Sequence, residues 1–151
     1  MSIFNAFNAS SSALTAQRLR MDVISSNIAN ANTTRATVNE NGEYEPYRRK
    51  MVQIEPTDKS FRTFLQKATS TTDNKATGVK VTEIVEDEEP FKLVYNPSHP
   101  DANEAGYVQM PNVDPLKEMV DLMSATRSYE ANITAINASK SMLMKALEIG
   151  K

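Results

Sequence analysis

The side chains that could do chemistry lie in the middle of the sequence. His99 is the only histidine, and it stands between two prolines. A catalytic or metal-binding imidazole needs partners that converge on it. The sequence offers no Cys, no Gly-rich phosphate loop and no metal-ligand spacing. An ordinary packed or exposed imidazole is the favoured interpretation. We therefore predict no enzyme activity and no catalytic, cofactor-binding or metal-binding residue.

Two charged clusters invite a binding function. The acidic run Glu86–Glu89 could hold a cation, but the ligand spacing of a calcium loop is missing and a solvated acidic turn is favoured. The basic run Arg48–Lys50, with Tyr44 and Tyr47 nearby, could contact RNA. No other basic patch accompanies it, and the formal net charge is −2. We therefore predict no nucleic acid and no small-molecule substrate as partner.

Composition limits the protein class. The chain has 151 residues with 40% apolar content, which suffices for one or two small domains. No apolar run approaches the roughly 18 residues of a membrane span. The first 16 residues lack the basic start and continuous apolar core of a cleaved signal peptide. If the protein leaves the cytosol, we expect it to use another route.

The longest regular pattern lies at the C-terminal end and predicts a helix over Asp114–Ile149. Asp114 is a suitable N-cap, Pro115 fits the first helical position, and Gly150 follows the last periodic residue. One face repeats at alternating spacings of three and four residues, which is a heptad seam. Its members are Met119, Leu122, Thr126, Tyr129, Ile133, Ile136, Lys140, Leu143 and Leu147. A helix of this length needs a partner to cover its seam.

The N-terminal segment has the same pattern and contains no Gly or Pro up to Asn30. Its seam consists of Ile3, Phe7, Ser10, Leu14, Gln17, Met21, Ile24 and Ile28. Two seams at opposite ends of one chain can close on each other, so we predict an antiparallel coiled coil. The polar members of both seams should weaken this pair and define its register.

All seven prolines lie between Pro46 and Pro115, which marks the middle of the chain as an insertion. Period-two alternation predicts short strands at Met51–Ile54, Val79–Val85 and Phe91–Tyr95. The polar segment 66–77 is predicted to be a mobile loop because it offers almost nothing to bury.

The predicted fold class is therefore α+β. Residues 1–34 and 112–151 form the paired terminal-helix domain in this prediction, and residues 35–111 form an inserted β-rich module.

Each predicted helix also carries a second face of small residues. The sets are Ala6, Ala9, Ala13, Ala16 and Val23 in the first helix, and Ser124, Ser128, Ala131, Ala135, Ala138 and Met142 in the second. Small residues allow neighbouring helices to approach closely, but Ala and Ser are also tolerable exposed helix residues. Periodicity leaves both interpretations open.

A cluster of Asn and Thr stands where the first helix should end, in Ser25–Thr34, which reads SSNIANANTT. Such side chains can cap a helix C-terminus and form local turns. The candidate interaction residues in this motif are Asn27, Ile28, Ala29, Asn30, Asn32 and Thr33. This stretch resembles the signature of the axial proteins of the bacterial flagellum, the rod, hook and hook-filament family.

The resemblance covers both ends of the chain and the strand module. The matching positions are Gln17, Met21, Val23, Asn27–Asn32, Pro97, His99, Pro100, Gly106–Val108, Pro111–Val113, Glu118–Val120 and Arg127–Asn132. Many members of the family follow the Asn-Thr pair with Gly and an aromatic residue, whereas this chain has Arg35 and Ala36. Together with the short length and the Tyr47–Lys50 sequence, this departure resembles the proximal rod proteins of the family.

The resemblance implies a structural subunit of the basal-body rod, the drive shaft of the flagellum. It further implies export through the flagellar type III apparatus without a cleaved signal, and assembly with other rod proteins and copies of itself into a helical tube. A cytosolic coiled-coil adaptor and a secreted type III effector are the alternatives. Light scattering of the purified chain and electron microscopy of concentrated protein would distinguish them.

Overall fold

The computed structural model describes residues 3–39, 42–57 and 78–149. In chain order, the elements are helix α1 (Ile3–Ala29), strands β1 (Thr37–Val38), β2 (Tyr44–Glu45), β3 (Lys50–Pro56), β4 (Val79–Glu86), β5 (Lys92–Tyr95) and β6 (Tyr107–Met110), and helix α2 (Pro115–Ile149). The chain is α+β, as its sequence predicts. The loop predicted at 66–77 lies outside the described residues. Among the helices of the described ranges, neither is long and apolar enough to cross a membrane.

Both helices end where the sequence signals predict. Helix α1 stops at Ala29, and the side chain of Asn30 donates a hydrogen bond of 2.9 Å to the Ser26 carbonyl in the last turn. Helix α2 begins at Pro115, and Asp114 Oδ1 accepts a hydrogen bond of 3.0 Å from the Leu116 N–H. Asp114 is thus the N-cap of α2, which satisfies one of the N–H groups that a helix start leaves free.

The strands of the described chain pair into three two-stranded sheets, β1–β2, β3–β4 and β5–β6. Strands β1 and β2 are antiparallel, as are β5 and β6. The sequence predicts β3, β4 and β5 and misses the other three. Strands β1 and β2 have two residues each, too few for alternation to reveal, and the four-residue β6 is a strand because β5 lies beside it.

The described chain divides into two compact units. One unit draws on the described parts of Met1–Leu19, Gln53–Glu83 and Ala125–Lys151, and its most buried apolar residues are Ala16 and Ala125. The other unit contains Arg20–Val52 and Ile84–Ser124. Its buried apolar residues are Val23, Ile24, Tyr47, Val108 and Val113.

Gly106 and Gly42 provide a matched test of backbone strain. Both have positive φ, at 79° and 82°, so an alanine at either position should cost about 1–2 kcal/mol. A Cβ at Gly106 would also lie 2.9 Å from the Tyr95 ring and 3.3 Å from Pro97, whereas nothing lies within 4 Å at Gly42. Because the exposed Tyr95 ring can shift, we expect Gly106→Ala to cost only about 1 kcal/mol more than Gly42→Ala. Urea unfolding of the two variants measures the difference, and equal losses would contradict the steric argument.

Candidate functional site

Asn27, in the last turn of α1, is the centre of a buried polar cluster. Its side chain is 1% exposed, and every hydrogen-bonding position of its amide is used. The amide nitrogen donates to the Lys50 carbonyl at 2.8 Å and to Glu118 Oε2 at 3.0 Å. The amide oxygen accepts from the Lys50 N–H at 2.9 Å and from the Tyr47 hydroxyl at 3.1 Å. One side chain therefore ties the end of α1 to the start of β3 and to α2.

Glu118 and Arg49 supply the charges of this cluster. Glu118 lies in the first turn of α2 and is 0% exposed, and its Oε1 accepts a 2.7 Å hydrogen bond from Arg49 Nε. The Arg49 guanidinium also lies 3.1 Å from Asp87 and 3.6 Å from Asp121. Asp121 in turn lies 3.8 Å from Arg20 of α1. A buried carboxylate is tolerable only with such partners, so Arg49 is what permits an acid at position 118.

Asn112 extends the cluster into the chain before α2. It is buried, it accepts a hydrogen bond from the Arg49 N–H at 2.8 Å, and it donates to the carbonyls of Asp87 and Glu89. The hydrogen bond from the Glu89 N–H has the largest effect on the pKa of Asp87 and lowers it. Burial raises this pKa and the bonds from Arg49 lower it, so the pKa lies below its usual value. Burial by itself would lower the pKa of Arg49, but the hydrogen bonds to Glu118 and Asp87 outweigh it and raise this pKa. Both groups are therefore held in their charged forms.

A second, more exposed cluster lies just after the Asn-Thr motif. The Arg35 guanidinium donates two hydrogen bonds to Asp101 Oδ1, and the Thr34 hydroxyl donates to Asp101 Oδ2 at 2.8 Å. The bond from Arg35, followed by that from Thr34, holds the pKa of Asp101 below its usual value. The Arg35 and Ala36 departure from the family pattern thus has a structural role, since Arg35 binds the loop that carries Asp101.

This pairing predicts a pH dependence. A carboxyl group with a depressed folded-state pKa adds stability above its unfolded-state pKa, and this stability is lost as the pH falls through the folded-state pKa. Arg35→Gln should therefore raise the pKa of Asp101, and the variant and parent should converge in stability at acidic pH. Titration of the Asp101 carboxyl carbon by NMR measures the shift. Arg48→Gln is the control, and an unchanged Asp101 titration in Arg35→Gln would contradict the pairing.

The predicted interaction residues, which come from the two seams and from the Asn-Thr motif, do not share one environment. The buried members are Asn27 and Ile24, and the half-buried ones are Leu14, Met21, Ile28, Asn30, Thr33, Leu122, Tyr129, Ile136 and Leu143. The exposed members are Phe7, Ala29, Asn32, Met119, Ile133 and Leu147, while the side chain of Ile3 lies outside the described part. Whether these positions contact other subunits remains a prediction.

The small-residue face of α1 is partly covered. Ala16 and Val23 are buried and Ala9 and Ala13 are half-buried, so the covered surface of α1 is wider than the predicted seam. On α2 the covered positions continue at spacings of three and four. They are Glu118, Leu122, Ala125, Tyr129, Asn132, Ile136, Ser139 and Leu143.

The residues that the sequence analysis considered for catalysis or binding make contacts within the protein. His99 Nδ1 accepts a hydrogen bond of 3.1 Å from the Asp101 N–H. Tyr47 is buried and hydrogen-bonded to Asn27, and Arg48 lies over the Phe91 ring at 4.4 Å. Among the residues that the structure describes, no cluster of His, Asp or Glu could hold a metal ion.

Sequence reasoning missed the joint role of Arg49, Asn112, Glu118 and Asp87. Glu118 and Asn112 belong to the matching motifs, but periodicity treats a charged or amide residue as solvent-exposed. A signal does exist, because Glu118 falls one turn before Leu122 on the covered face of α2. This position indicates a buried ion pair only when the fold places Arg49, 69 residues earlier in the chain, beside Glu118.

The geometry of this site joins distant segments of one chain. Together, the fold and the site define an α+β protein whose two long helices are tied to each other by the buried Asn27–Glu118 hydrogen bond.

Comparison with known proteins identifies the family of the chain. Residues 7–37 match the family model described as flagella basal body rod protein, and residues 104–149 match the flagellar basal body rod FlgEFG protein C-terminal model. The chain is 62% identical to the flagellar basal-body rod protein FlgC of Bacillus subtilis (strain 168) over 151 residues, which covers 100% of both chains. It is 45% identical to FlgC of Borreliella burgdorferi over 99% of this chain and 98% of that one. It is 41% identical to FlgC of Escherichia coli O6:H1 over 100% of both.

The chain belongs to the FlgC family of flagellar basal-body rod proteins. Members of this family are structural components of the flagellar basal body and not enzymes.

Proposed function

We propose that this chain builds the rod by pairing its two terminal helices as an antiparallel coiled coil and by packing the remaining seam positions against neighbouring subunits. In this proposal the helix-paired domain consists of residues 1–34 and 112–151, and residues 35–111 are the β-rich insertion. The subunits, both copies of this chain and other rod proteins, form a helical tube. The observation that carries the proposal is the buried Asn27–Glu118 hydrogen bond, which joins α1 to α2 across 91 positions of sequence.

A second contact supports the antiparallel direction. Asn27 meets Glu118, and Arg20, two turns earlier in α1, meets Asp121, which comes later in α2. Moving back along α1 therefore means moving forward along α2, as in an antiparallel pair. Buried polar residues at such positions favour one register over its alternatives.

The exposed seam positions support contacts between subunits. Met119, Ile133 and Leu147 are large apolar side chains that a single chain leaves exposed. Exposed apolar side chains that recur along one helix are typical of surfaces covered in an assembly. A tube of subunits would cover them.

The route to the rod is part of the proposal. We infer that the chain passes through the flagellar type III export apparatus and crosses the inner membrane unfolded. The absence of Cys suits a chain that must travel without disulfides and fold on arrival.

The test uses a flagellated strain whose own gene for this protein is deleted. Supplying the chain should restore swimming, and purified basal bodies should contain it. Deleting the same gene should leave rods incomplete. Restored swimming without the chain in purified basal bodies would contradict a rod role, and accumulation of folded protein in the cytosol of a strain with intact rods would contradict export.

A further inference from the structure

The Asn-Thr motif and the loop between β5 and β6 meet at Asp101. Thr34, the last residue of the motif, donates its hydroxyl hydrogen bond to Asp101 Oδ2 at 2.8 Å. Arg35, the next residue, donates two hydrogen bonds to Asp101 Oδ1. One carboxylate therefore holds the segment that follows α1 against the loop. We call these contacts of Thr34 and Arg35 with Asp101 the Asp101 clasp.

His99 lies beside this clasp as a neutral hydrogen-bond acceptor. Its Nδ1 accepts a hydrogen bond of 3.1 Å from the Asp101 N–H, so this nitrogen carries no proton and the ring proton is on Nε2. The same Nδ1 lies 3.8 Å from Asp101 Oδ2, the oxygen that Thr34 contacts. One imidazole nitrogen thus lies near both the backbone donor and a carboxylate oxygen of Asp101.

The charged groups at this site come from two parts of the fold. On the loop, Asp101 is the acidic residue in ion-pair range of the imidazole within the described chain. After α1, Arg35 binds the other oxygen of this carboxylate and lies over the ring of Tyr44 in β2. The hydrogen bonds from Arg35 and then Thr34 lower the pKa of Asp101, so its carboxylate stays charged while a histidine titrates.

Protonation of His99 changes both relations of its Nδ1. A proton on this nitrogen leaves two N–H donors facing each other, so the hydrogen bond from the Asp101 N–H breaks. The imidazolium then donates to Asp101 Oδ2 and competes with the Thr34 hydroxyl for this oxygen. A charged donor wins this competition, because charge-assisted hydrogen bonds are roughly twice as strong as neutral ones. Arg35 stays on the other oxygen.

We propose that His99 is a pH-dependent switch on the Asp101 clasp. In the closed state His99 is neutral, and its protonation breaks the bond from the Asp101 N–H and takes Oδ2 from Thr34. Because the closed state contains the neutral imidazole, the clasp is closed at neutral pH and opens as the pH falls from about 7 to about 5. This inference goes beyond the proposed rod function, since it concerns contacts within one chain.

Opening of the clasp should reach the β1–β2 sheet. Ala36 follows Arg35, and its N–H donates a hydrogen bond of 2.9 Å to the Glu45 carbonyl in β2. Release of Thr34 removes one of the two partners that hold this segment to Asp101. The Ala36 amide is therefore a second reporter of the switch, in addition to the Asp101 amide.

Amide hydrogen exchange of the full-length chain, followed by NMR, tests the switch. Rates are measured at about pH 7.5 and about pH 5.5, on either side of the histidine range, and are corrected for the intrinsic effect of pH. At the lower pH we expect exchange to be at least about tenfold faster at the Asp101 amide and about threefold faster at the Ala36 amide. Unchanged corrected rates would overturn the proposal.

His99→Asn is the matched control. The side-chain oxygen of Asn is bonded to Cγ, as Nδ1 is in His, so it accepts the same hydrogen bond and does not titrate. We expect the corrected rates of both amides in this variant to be the same at the two pH values. An increase as large as that of the parent would show that His99 is not the titrating group, and the proposal would fail.

Thr34→Val tests whether the switch acts through Thr34. Valine has a similar shape and lacks the hydroxyl that binds Asp101. The Ala36 amide of this variant should exchange at both pH values as fast as that of the parent at the lower pH, while the Asp101 amide keeps its pH dependence. If the Ala36 amide of Thr34→Val still responds to pH as in the parent, Thr34 is not the partner that His99 displaces and the proposed exchange is wrong.

Discussion

Replacing Arg49 by methionine should destabilise the protein by about 3–5 kcal/mol, because it removes the positive partner of a fully buried carboxylate. Glu118 is 0% exposed, and Arg49 Nε is its only charged donor among the described residues. Methionine fills a similar volume, so the expected loss comes from the unpaired charge and not from a cavity. Urea unfolding followed by far-UV circular dichroism measures it.

The neighbouring arginine is the matched control. Arg48 lies over the Phe91 ring and makes no salt bridge to a described residue, so Arg48→Met should cost about 1 kcal/mol or less. Adding Glu118→Gln to Arg49→Met should recover much of the loss, since Gln removes the charge and keeps an acceptor for Asn27. If Arg48→Met and Arg49→Met cost the same, the buried cluster does not stabilise the fold as described here.

Replacing Ile133 by aspartate should abolish incorporation into the rod at a much smaller cost to the free monomer. Ile133 is 38% exposed in the single chain, so the monomer should lose about 1 kcal/mol, the typical cost of a single substitution. If a neighbouring subunit covers this position, the charge costs several kcal/mol at the interface through desolvation and lost apolar contact. Swimming and the amount of chain in purified basal bodies are the measurements.

Thr134→Asp provides the control for this variant. It introduces the same carboxylate one residue further along α2, at an exposed position outside the predicted seam. We expect it to assemble and support swimming. Normal incorporation of Ile133→Asp would show that the seam is not covered in the rod, and the proposed architecture would have to be abandoned.

The sequence by itself determined the two helices and their ends. Asp114 and Pro115 start α2, and the Asn-Thr motif stops α1, because capping depends on residues within a few positions of each other. In long segments without Gly or Pro, helix formation also depends mainly on residues that are close together in sequence. The α+β class follows from these segments and from the alternation in β3, β4 and β5. The motifs at both ends were sufficient for the family resemblance, which the comparisons confirm.

Only the tertiary structure decided which side chains on these helices are buried. Heptad periodicity assigns apolar residues to a seam, yet Glu118 is fully buried while Met119, beside it, is exposed. The burial of Glu118 depends on Arg49 and Asn27, which lie 69 and 91 positions away in sequence. A charge can leave water only where opposite charge and hydrogen-bond donors are already in place. No local sequence pattern indicates that Glu118, Arg49 and Asn27 come together in the fold.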